Sequence, residues 1–287
     1  MRCTQAPMRI AVGTTLLCAA TLLASPALLA QQPSGPPARA AAAPSARTQA
    51  PFDPTGYWVS LITQNWRYRM VVPGKGEYAD VPINIKAKQL ADAWSAGADE
   101  AAGKACEAYG AAIIMRNPER LHIAWLDDNT LRVDTDAGMQ TRLLHFLPPA
   151  VPSPSGQIAP PPRPQSAMPS IGQGYSVARW ILAGVLAGGM APALPAQAPN
   201  QPRFGSLVVN TDDLLPGLLR KNGIPYSAGA RVTEYWDLRQ LAARQWISIS
   251  VQVDDPEYLQ TPYIYDAICQ KEPDGSRWTP APCTLGS

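Results

Sequence analysis

The sequence predicts a mainly β protein, built as a closed, antiparallel, up-and-down barrel. Three observations lead to this fold class. Apolar and polar residues alternate with period two through most of the chain after residue 52, short turns join the alternating segments, and a single segment has clear helical spacing. A closed barrel is preferred to an open sheet because closure removes exposed strand edges.

The first residues have the organisation of a secretory signal peptide. Arg2 and Arg9 precede an uncharged apolar run over residues 10–23, and small residues then offer cleavage after Ala27 or Ala30. The run is shorter than the roughly 20 residues of a membrane span. We therefore expect residues 1–30 to be removed, no transmembrane anchor, and a periplasmic or secreted location.

The charge balance argues against nucleic acid as a partner. The chain has 24 basic and 22 acidic residues, and loss of Arg2 and Arg9 with the signal would make the two numbers equal. Proteins that bind nucleic acids usually carry a basic excess or stripe.

Three of the five cysteines, Cys106, Cys269 and Cys283, lie beyond the signal. In an oxidising compartment one pair should form a disulfide, and the residues themselves leave three pairings open. The chain has no Cys-x-x-Cys motif or Cys/His cluster, so we expect no metal site.

The chain divides by composition into a signal, a tether and one domain. Residues 31–51 are rich in Pro and Ala and poor in large apolar groups, which predicts a disordered tether. Residues 52–287 should form a single β-barrel domain, with flexible Pro-rich insertions at about 148–169 and 183–202.

Ten segments have strand character and one, residues 86–94, has helical spacing. The predicted strands are 57–62, 66–72, 121–126, 130–135, 141–146, 175–182, 206–211, 231–238, 245–253 and 263–270.

The pleat of the predicted meander sorts its polar residues by face. If Leu126 lies opposite Thr130, then His122 lies opposite Asp134, and both face outward with His145. A His beside an Asp is a candidate general base. An exposed cross-strand pair that stabilises the sheet is the alternative.

Arg142 falls on the inward face of the same meander. An inward arginine needs a carboxylate, carbonyl groups or an aromatic ring, because an unpaired buried charge is costly. It is expected either to pair with Glu234 or an aromatic ring as a structural group, or to bind the acid or carbonyl end of a ligand.

Residues 214–227 form a long connection with four leucines, the pair Arg220-Lys221 and an Asn222-Gly223 turn. We interpret it either as a lid over the barrel mouth or as a packed surface loop.

The start of the domain, Gly56-Tyr57-Trp58, resembles the opening Gly-x-Trp motif of the lipocalin family. That resemblance implies an up-and-down barrel in which the tryptophan closes one end and an arginine from a late strand packs across it.

A longer set of motifs resembles a family of uncharacterised secreted bacterial proteins, which has no established activity. These motifs include Arg220-Lys221-Asn222-Gly223-Ile224-Pro225-Tyr226-Ser227, Asp254-Asp255-Pro256-Glu257-Tyr258-Leu259, Lys271-Glu272-Pro273-Asp274-Gly275-Ser276 and Pro280-Ala281-Pro282-Cys283. The resemblance implies a disulfide between Cys106 and Cys283, with Cys269 as the spare thiol.

From these observations we predict a periplasmic barrel that binds a small apolar or amphipathic molecule without a cofactor. The predicted ligand-binding residues are Arg116, Arg142, Glu234, Trp66, Tyr235, Arg220 and Tyr226. One alternative is a cofactor-independent isomerase, hydratase or lyase that uses His122 with Asp134, or Glu234, as its acid–base groups. A second is a non-catalytic envelope scaffold.

Overall fold

The computed structural model describes residues 44–117, 120–147, 172–182 and 204–286. They belong to one compact unit, Ala43–Ser287. The predicted signal peptide lies outside the described residues. So do both predicted insertions, at 148–169 and 183–202.

The described residues form a mainly β domain with four short α-helices. The strands are β1 (Gly56–Leu61), β2 (Arg120–Asp127), β3 (Thr130–Thr135), β4 (Thr141–Phe146), β5 (Tyr175–Leu182), β6 (Gly205–Asp212), β7 (Gly217–Arg220), β8 (Ile224–Tyr226), β9 (Arg231–Leu241), β10 (Arg244–Asp254) and β11 (Tyr263–Lys271). The helices are α1 (Ala46–Gln49), α2 (Trp66–Met70), α3 (Ile85–Ala93) and α4 (Ala96–Ala101), with 3₁₀ turns at Ala105–Tyr109 and Ile114–Arg116.

Nine of the described strands close into a barrel in the order β1-β11-β10-β9-β6-β5-β4-β3-β2, and β7 pairs with β8 in a separate hairpin. The predicted barrel is confirmed, but the prediction that it is antiparallel throughout was wrong, because β4 and β5 run parallel. Parallel neighbours require a long crossover connection. The connection between Phe146 and Tyr175 is long enough to return the chain to the end from which β4 starts.

The predicted pairing of β2 with β3 is confirmed at the His122–Asp134 position. His122 lies opposite Asp134 and Ile123 lies opposite Val133. Nearer the turn, Asp127 rather than Leu126 lies opposite Thr130, and a bulge after Trp125 absorbs the extra residue. The alternation therefore places Leu131, Val133 and Leu144 in the core, as expected.

Residues 66–72 were wrongly predicted as a strand. They contain α2 instead, in which Trp66 and Met70 are exposed and Arg69 is buried. The Arg69 Nε donates to the carbonyl oxygen of Arg116 at 2.8 Å, and Nη2 donates to Ser60 Oγ at 3.2 Å. These tertiary hydrogen bonds override an alternating pattern that by itself favours a strand.

The last residues of the predicted tether, from 44 onward, are described by the structure. Within the predicted tether, α1 packs against the barrel: Ala46 is buried, and its carbonyl oxygen accepts a hydrogen bond from the indole nitrogen of Trp180 at 2.8 Å. The predicted helix at 86–94 is confirmed as α3, capped by the Asn84 side chain, which accepts a hydrogen bond from the Ala87 amide.

The two ends of the barrel are closed differently. Trp58 is fully buried where β1 begins, and its indole nitrogen donates to the carbonyl oxygen of Pro54 at 2.9 Å. The cation over its ring is Lys271, 5.3 Å from the ring centroid, rather than an arginine. At the end where β11 begins, the buried segment from Ala111 to Met115 and the β7–β8 hairpin cover the barrel.

Candidate functional site

The centre of the barrel holds an ion pair between Arg142 on β4 and Glu234 on β9. It is bidentate, with Nη1–Oε1 at 3.0 Å and Nη2–Oε2 at 2.8 Å. Arg142 Nη2 also lies 3.3 Å from Thr211 Oγ1, and both charged side chains are buried. Arg142 therefore points inward as predicted. Of its two expected roles, the structure shows the structural one, in which Arg142 pairs with Glu234.

Aromatic side chains also lie in the described interior. Trp236 on β9 and Tyr265 on β11 are both buried. The Tyr265 hydroxyl donates a hydrogen bond to the carbonyl oxygen of Ala112 at 3.1 Å. Burial raises the pKa of Tyr265 well above its ordinary value, and the nearby Glu234 carboxylate adds to this. Small barrels are commonly filled in this way. A cavity lined by described residues lies at an end of the barrel.

The candidate acid–base pair lies on the outside of the barrel. His122 Nδ1 is 3.7 Å from Asp134 Oδ2, and the imidazole stacks on Tyr57 with ring centroids 4.4 Å apart. The Asp134 carboxylate is already engaged, because Arg132 Nε donates to it at 2.9 Å and Thr141 Oγ1 at 2.6 Å. These contacts suit a cross-strand pair on a sheet surface better than a general base.

His145 differs from its expected position in solvent. It lies on the outer face, as the alternation predicts, but it is buried and stacks on Tyr175 with ring centroids 5.1 Å apart. Burial lowers the pKa of His145, and the Asp127 carboxylate opposes this effect. The sequence pattern reports which face a residue occupies, and it does not report what covers that face.

Two predicted ligand-binding aromatic residues do not face the barrel interior. Trp66 is on α2 and is 68% exposed, and Tyr235 is on the outer face of β9 and is 45% exposed. Tyr226 is buried in β8 and packs closely on Gly110 and Gly217, where an added Cβ would overlap its hydroxyl. Burial raises the pKa of Tyr226 strongly.

A cavity of about 190 Å³ lies between α2, the segment from Ala108 to Asn117 and the β7–β8 hairpin. Among the described residues, its lining contains four basic side chains, Arg69, Arg116, Arg220 and Lys221, and no Asp or Glu. Apolar side chains complete the wall, among them Met70, Val71, Ile113 and Leu219. We call this space the basic cavity.

Two buried arginines of the basic cavity share one carboxylate. Asp80 Oδ2 accepts hydrogen bonds from Arg116 Nη2 at 3.1 Å and from Arg220 Nη2 at 3.2 Å. The Asp80 side chain is 35% exposed, whereas those of Arg116 and Arg220 are 6% and 3% exposed. One partly solvated negative charge therefore faces two desolvated positive charges.

Arg220 is incompletely satisfied. Its Nε and Nη1 atoms, and Nε of Arg116, are buried with no hydrogen-bond acceptor among the described residues. The guanidinium lies over the Tyr68 ring, 4.7 Å from the centroid. Burial lowers the pKa of Arg220, and the neighbouring Arg116 lowers it further, while Tyr263 and Asp80 act in the opposite direction. A charge held in this way has a large amount to gain from an anion.

The turn of the β7–β8 hairpin fixes the position of the basic pair Arg220-Lys221. Gly223 has φ +91°, and a Cβ at this position would lie 2.7 Å from the Trp94 side chain. Only glycine combines this backbone conformation with so close an approach. The predicted Asn222-Gly223 turn is confirmed, and the predicted lid is a buried hairpin packed on α3 and on the Ala105–Tyr109 turn.

The disulfide supports the same wall of the cavity. Cys106 and Cys283 are bonded, which confirms the predicted pairing, and Cys269 is buried and is not part of a disulfide. Thr284, next to Cys283, donates its amide to the Tyr109 hydroxyl at 3.2 Å, and Lys221 Nζ donates to the same oxygen at 2.8 Å. Burial favours the neutral phenol, but these donors outweigh it and lower the pKa of Tyr109.

Comparison with known proteins does not assign the chain. No family model, curated protein or solved structure matches it. The resemblance to a secreted bacterial family therefore stays a prediction, and the chemistry of the site must be argued from its own residues.

Within the described ranges, no cluster of three or more His, Cys, Asp or Glu side chains is arranged to hold a metal ion. None of the described helices has the length and hydropathy needed to cross a bilayer.

The sequence identified two of the residues that form the basic cavity's charged centre, Arg116 and Arg220. It missed Arg69 and Asp80, which are brought to them by the fold. No spacing relates these positions along the chain, and Arg69 was hidden because its segment was interpreted as a strand.

Proposed function

We propose that this protein binds a small amphipathic molecule through an acidic group held in the basic cavity. The observation that carries the proposal is the pair of buried guanidinium groups, Arg116 and Arg220, that share the single partly exposed carboxylate of Asp80. A carboxylate would restore charge balance and accept hydrogen bonds from an arginine that has donors to spare.

The charge of the described lining residues supports an anionic ligand, because four of them are basic and none is acidic. The whole chain has nearly equal numbers of basic and acidic residues, so four basic and no acidic side chains among the described lining residues is a strong local bias. Another surface cavity, of about 180 Å³, has the opposite character, with Asp254 and Asp255 in its lining. The charge of the basic cavity therefore belongs to this site and is not a general property of the surface.

The apolar part of the lining favours an amphipathic ligand over a bare inorganic ion. Met70, Val71 and Leu219 lie in the same wall as the arginines. Met70 and Val71 are more than 60% exposed, so they can gain by covering an alkyl chain. A fatty-acid-like molecule has both the acid group and the apolar body that this lining suits.

The proposal places the ligand at the end of the barrel and not in its centre. Arg142 and Glu234, two of the expected polar anchors, satisfy each other and do not line the basic cavity. The predicted anchors Arg116 and Arg220 do line it. The enzyme alternative is less well supported, because His122 and Glu234 are likewise absent from this lining.

A charge series of small probes tests the proposal. Hexanoate, hexanol and hexylamine share an alkyl chain and differ in their head group. Because a ligand that binds only the folded state raises the melting temperature, we expect hexanoate to raise it in a concentration-dependent way, hexanol to raise it weakly, and hexylamine to have no effect. Equal effects of all three probes would contradict an acid-specific site.

A further inference from the structure

A second cavity, of about 440 Å³, adjoins the basic cavity and shares part of its wall. Val72, Pro73 and Lys221 line both spaces. The second cavity is more open, and its other walls include Lys75, Trp94 and Asn222. The two spaces therefore lie on either side of one short segment and one lysine.

The lining of the second cavity, like that of the basic cavity, carries basic side chains. Its lining, as far as the structure describes the chain, contains Lys75 and Lys221 and no Asp or Glu. Two acidic residues that contact its walls already have partners: Asp99 accepts a hydrogen bond from the Trp94 indole at 2.6 Å, and Glu100 accepts from the amides of Leu285 and Gly286 at 3.0 Å.

Asn222 ties together two segments in the wall of the second cavity. Its Nδ2 donates to the carbonyl oxygens of Gly74 and Glu77 at 3.2 and 3.0 Å, which fixes the amide on the segment that carries Lys75. Lys221, the adjacent residue, is held by the Tyr109 hydroxyl. The two lysines are thus attached to positioned backbone and do not project from independent loops.

From these features we infer that the two cavities are halves of one elongated site, and that its ligand is a diacid. This inference rests on the proposed function, since one acid group occupies the Arg116–Arg220 centre. The second acid group pairs with Lys75 and Lys221, and the alkyl chain between them lies along Val72 and Pro73. A monoacid fills only the first half.

Matched pairs of acids test the inference. Calorimetry is carried out with succinate, adipate and suberate, each against the monoacid of equal chain length, butyrate, hexanoate and octanoate. Because the second ion pair is partly exposed, the best diacid should bind about 3–10 times more tightly than its monoacid, corresponding to about 1 kcal/mol. Lys75→Met should abolish this advantage and leave monoacid affinity unchanged, whereas Lys88→Met, an exposed lysine on α3, should preserve both.

The outcomes separate the two proposals. If monoacids bind but no diacid exceeds its monoacid, or if the advantage persists in Lys75→Met, the diacid inference is wrong and the proposed function stands. If neither monoacids nor diacids bind, the proposed function itself fails. Inorganic phosphate is measured in parallel, and tighter binding of phosphate than of every diacid would also overturn the inference.

Discussion

Arg142 and Glu234 form a bidentate, buried ion pair at the centre of the barrel, which we interpret as structural. Two parallel hydrogen bonds join them at 3.0 and 2.8 Å, and neither side chain has appreciable contact with solvent. Arg220 is buried to a similar extent but shares the Asp80 carboxylate with Arg116. We therefore assign a structural role to Arg142 and propose a ligand-binding role for Arg220.

The first prediction concerns the central ion pair. Glu234→Gln should lower the free energy of unfolding by about 3–5 kcal/mol, because it leaves the Arg142 charge buried without its counter-ion. Chemical denaturation measures the change. Glu257→Gln, which removes an exposed partner of Lys86, is the control and should have little effect. Equal effects of the two substitutions would show that the central pair is not structural.

The second prediction concerns the stability of the unliganded basic cavity. Arg220→Met should change the free energy of unfolding by less than about 1 kcal/mol, or should increase it, because it replaces an incompletely paired buried charge with an apolar side chain of similar length. Denaturation without ligand measures this. A loss as large as that of Glu234→Gln would mean that Arg220 is a structural residue.

The third prediction is a pH dependence that arises from His145. Burial lowers the pKa of this imidazole in the folded protein, so the unfolded chain binds its proton first as the pH falls. The contribution of neutral His145 to stability is therefore complete above about pH 6.5, the ordinary value, and is lost as the pH falls below it. His145→Gln should flatten the stability curve between about pH 5 and 6.5, where carboxylates contribute little.

His122→Gln is the matched control for that experiment, since the chain has only these two histidines. Unfolding free energies of the wild type and both variants are measured across the same pH range. If His122→Gln flattens the curve as much as His145→Gln, the assignment to the buried imidazole is wrong.

The fourth prediction concerns the disulfide. A Cys106→Ala, Cys283→Ala double variant should lose about 2–5 kcal/mol of stability. It should also bind hexanoate more weakly, because Tyr109 and Lys221 lose a fixed neighbour at Thr284. Thermal unfolding and calorimetry measure the two effects. Unchanged hexanoate affinity in a folded double variant would show that the cavity wall does not depend on the disulfide.

The barrel was predictable from the sequence because strand alternation is a local property. Leu131, Val133 and Leu144 alternate with polar residues, and the pleat turns that order directly into an inner and an outer face. The same argument placed Arg142 inside. It failed at β5, because strand direction depends on the length and path of a connection and not on the pattern within the strand.

The basic cavity was only partly predictable, because its charged centre is assembled from distant parts of the chain. Arg220 and Arg116 stand out as basic residues beside apolar runs, and both were chosen as ligand-binding residues. Asp80 does not stand out, and only the fold shows that both arginines converge on its carboxylate. The charge balance of a buried site depends on which side chains the fold brings together, and the overall composition does not report this.

The affinity of the protein for hexanoate, compared between Arg220→Met and Arg239→Met, tests the central claim most directly. Arg239 is an exposed arginine on β9, so the two substitutions remove the same charge from the chain. Titration calorimetry should show binding to the wild type and to Arg239→Met, and at least a tenfold loss, about 1.4 kcal/mol, in Arg220→Met. Equal affinity of the two variants for hexanoate would contradict an acid-binding site at the basic cavity.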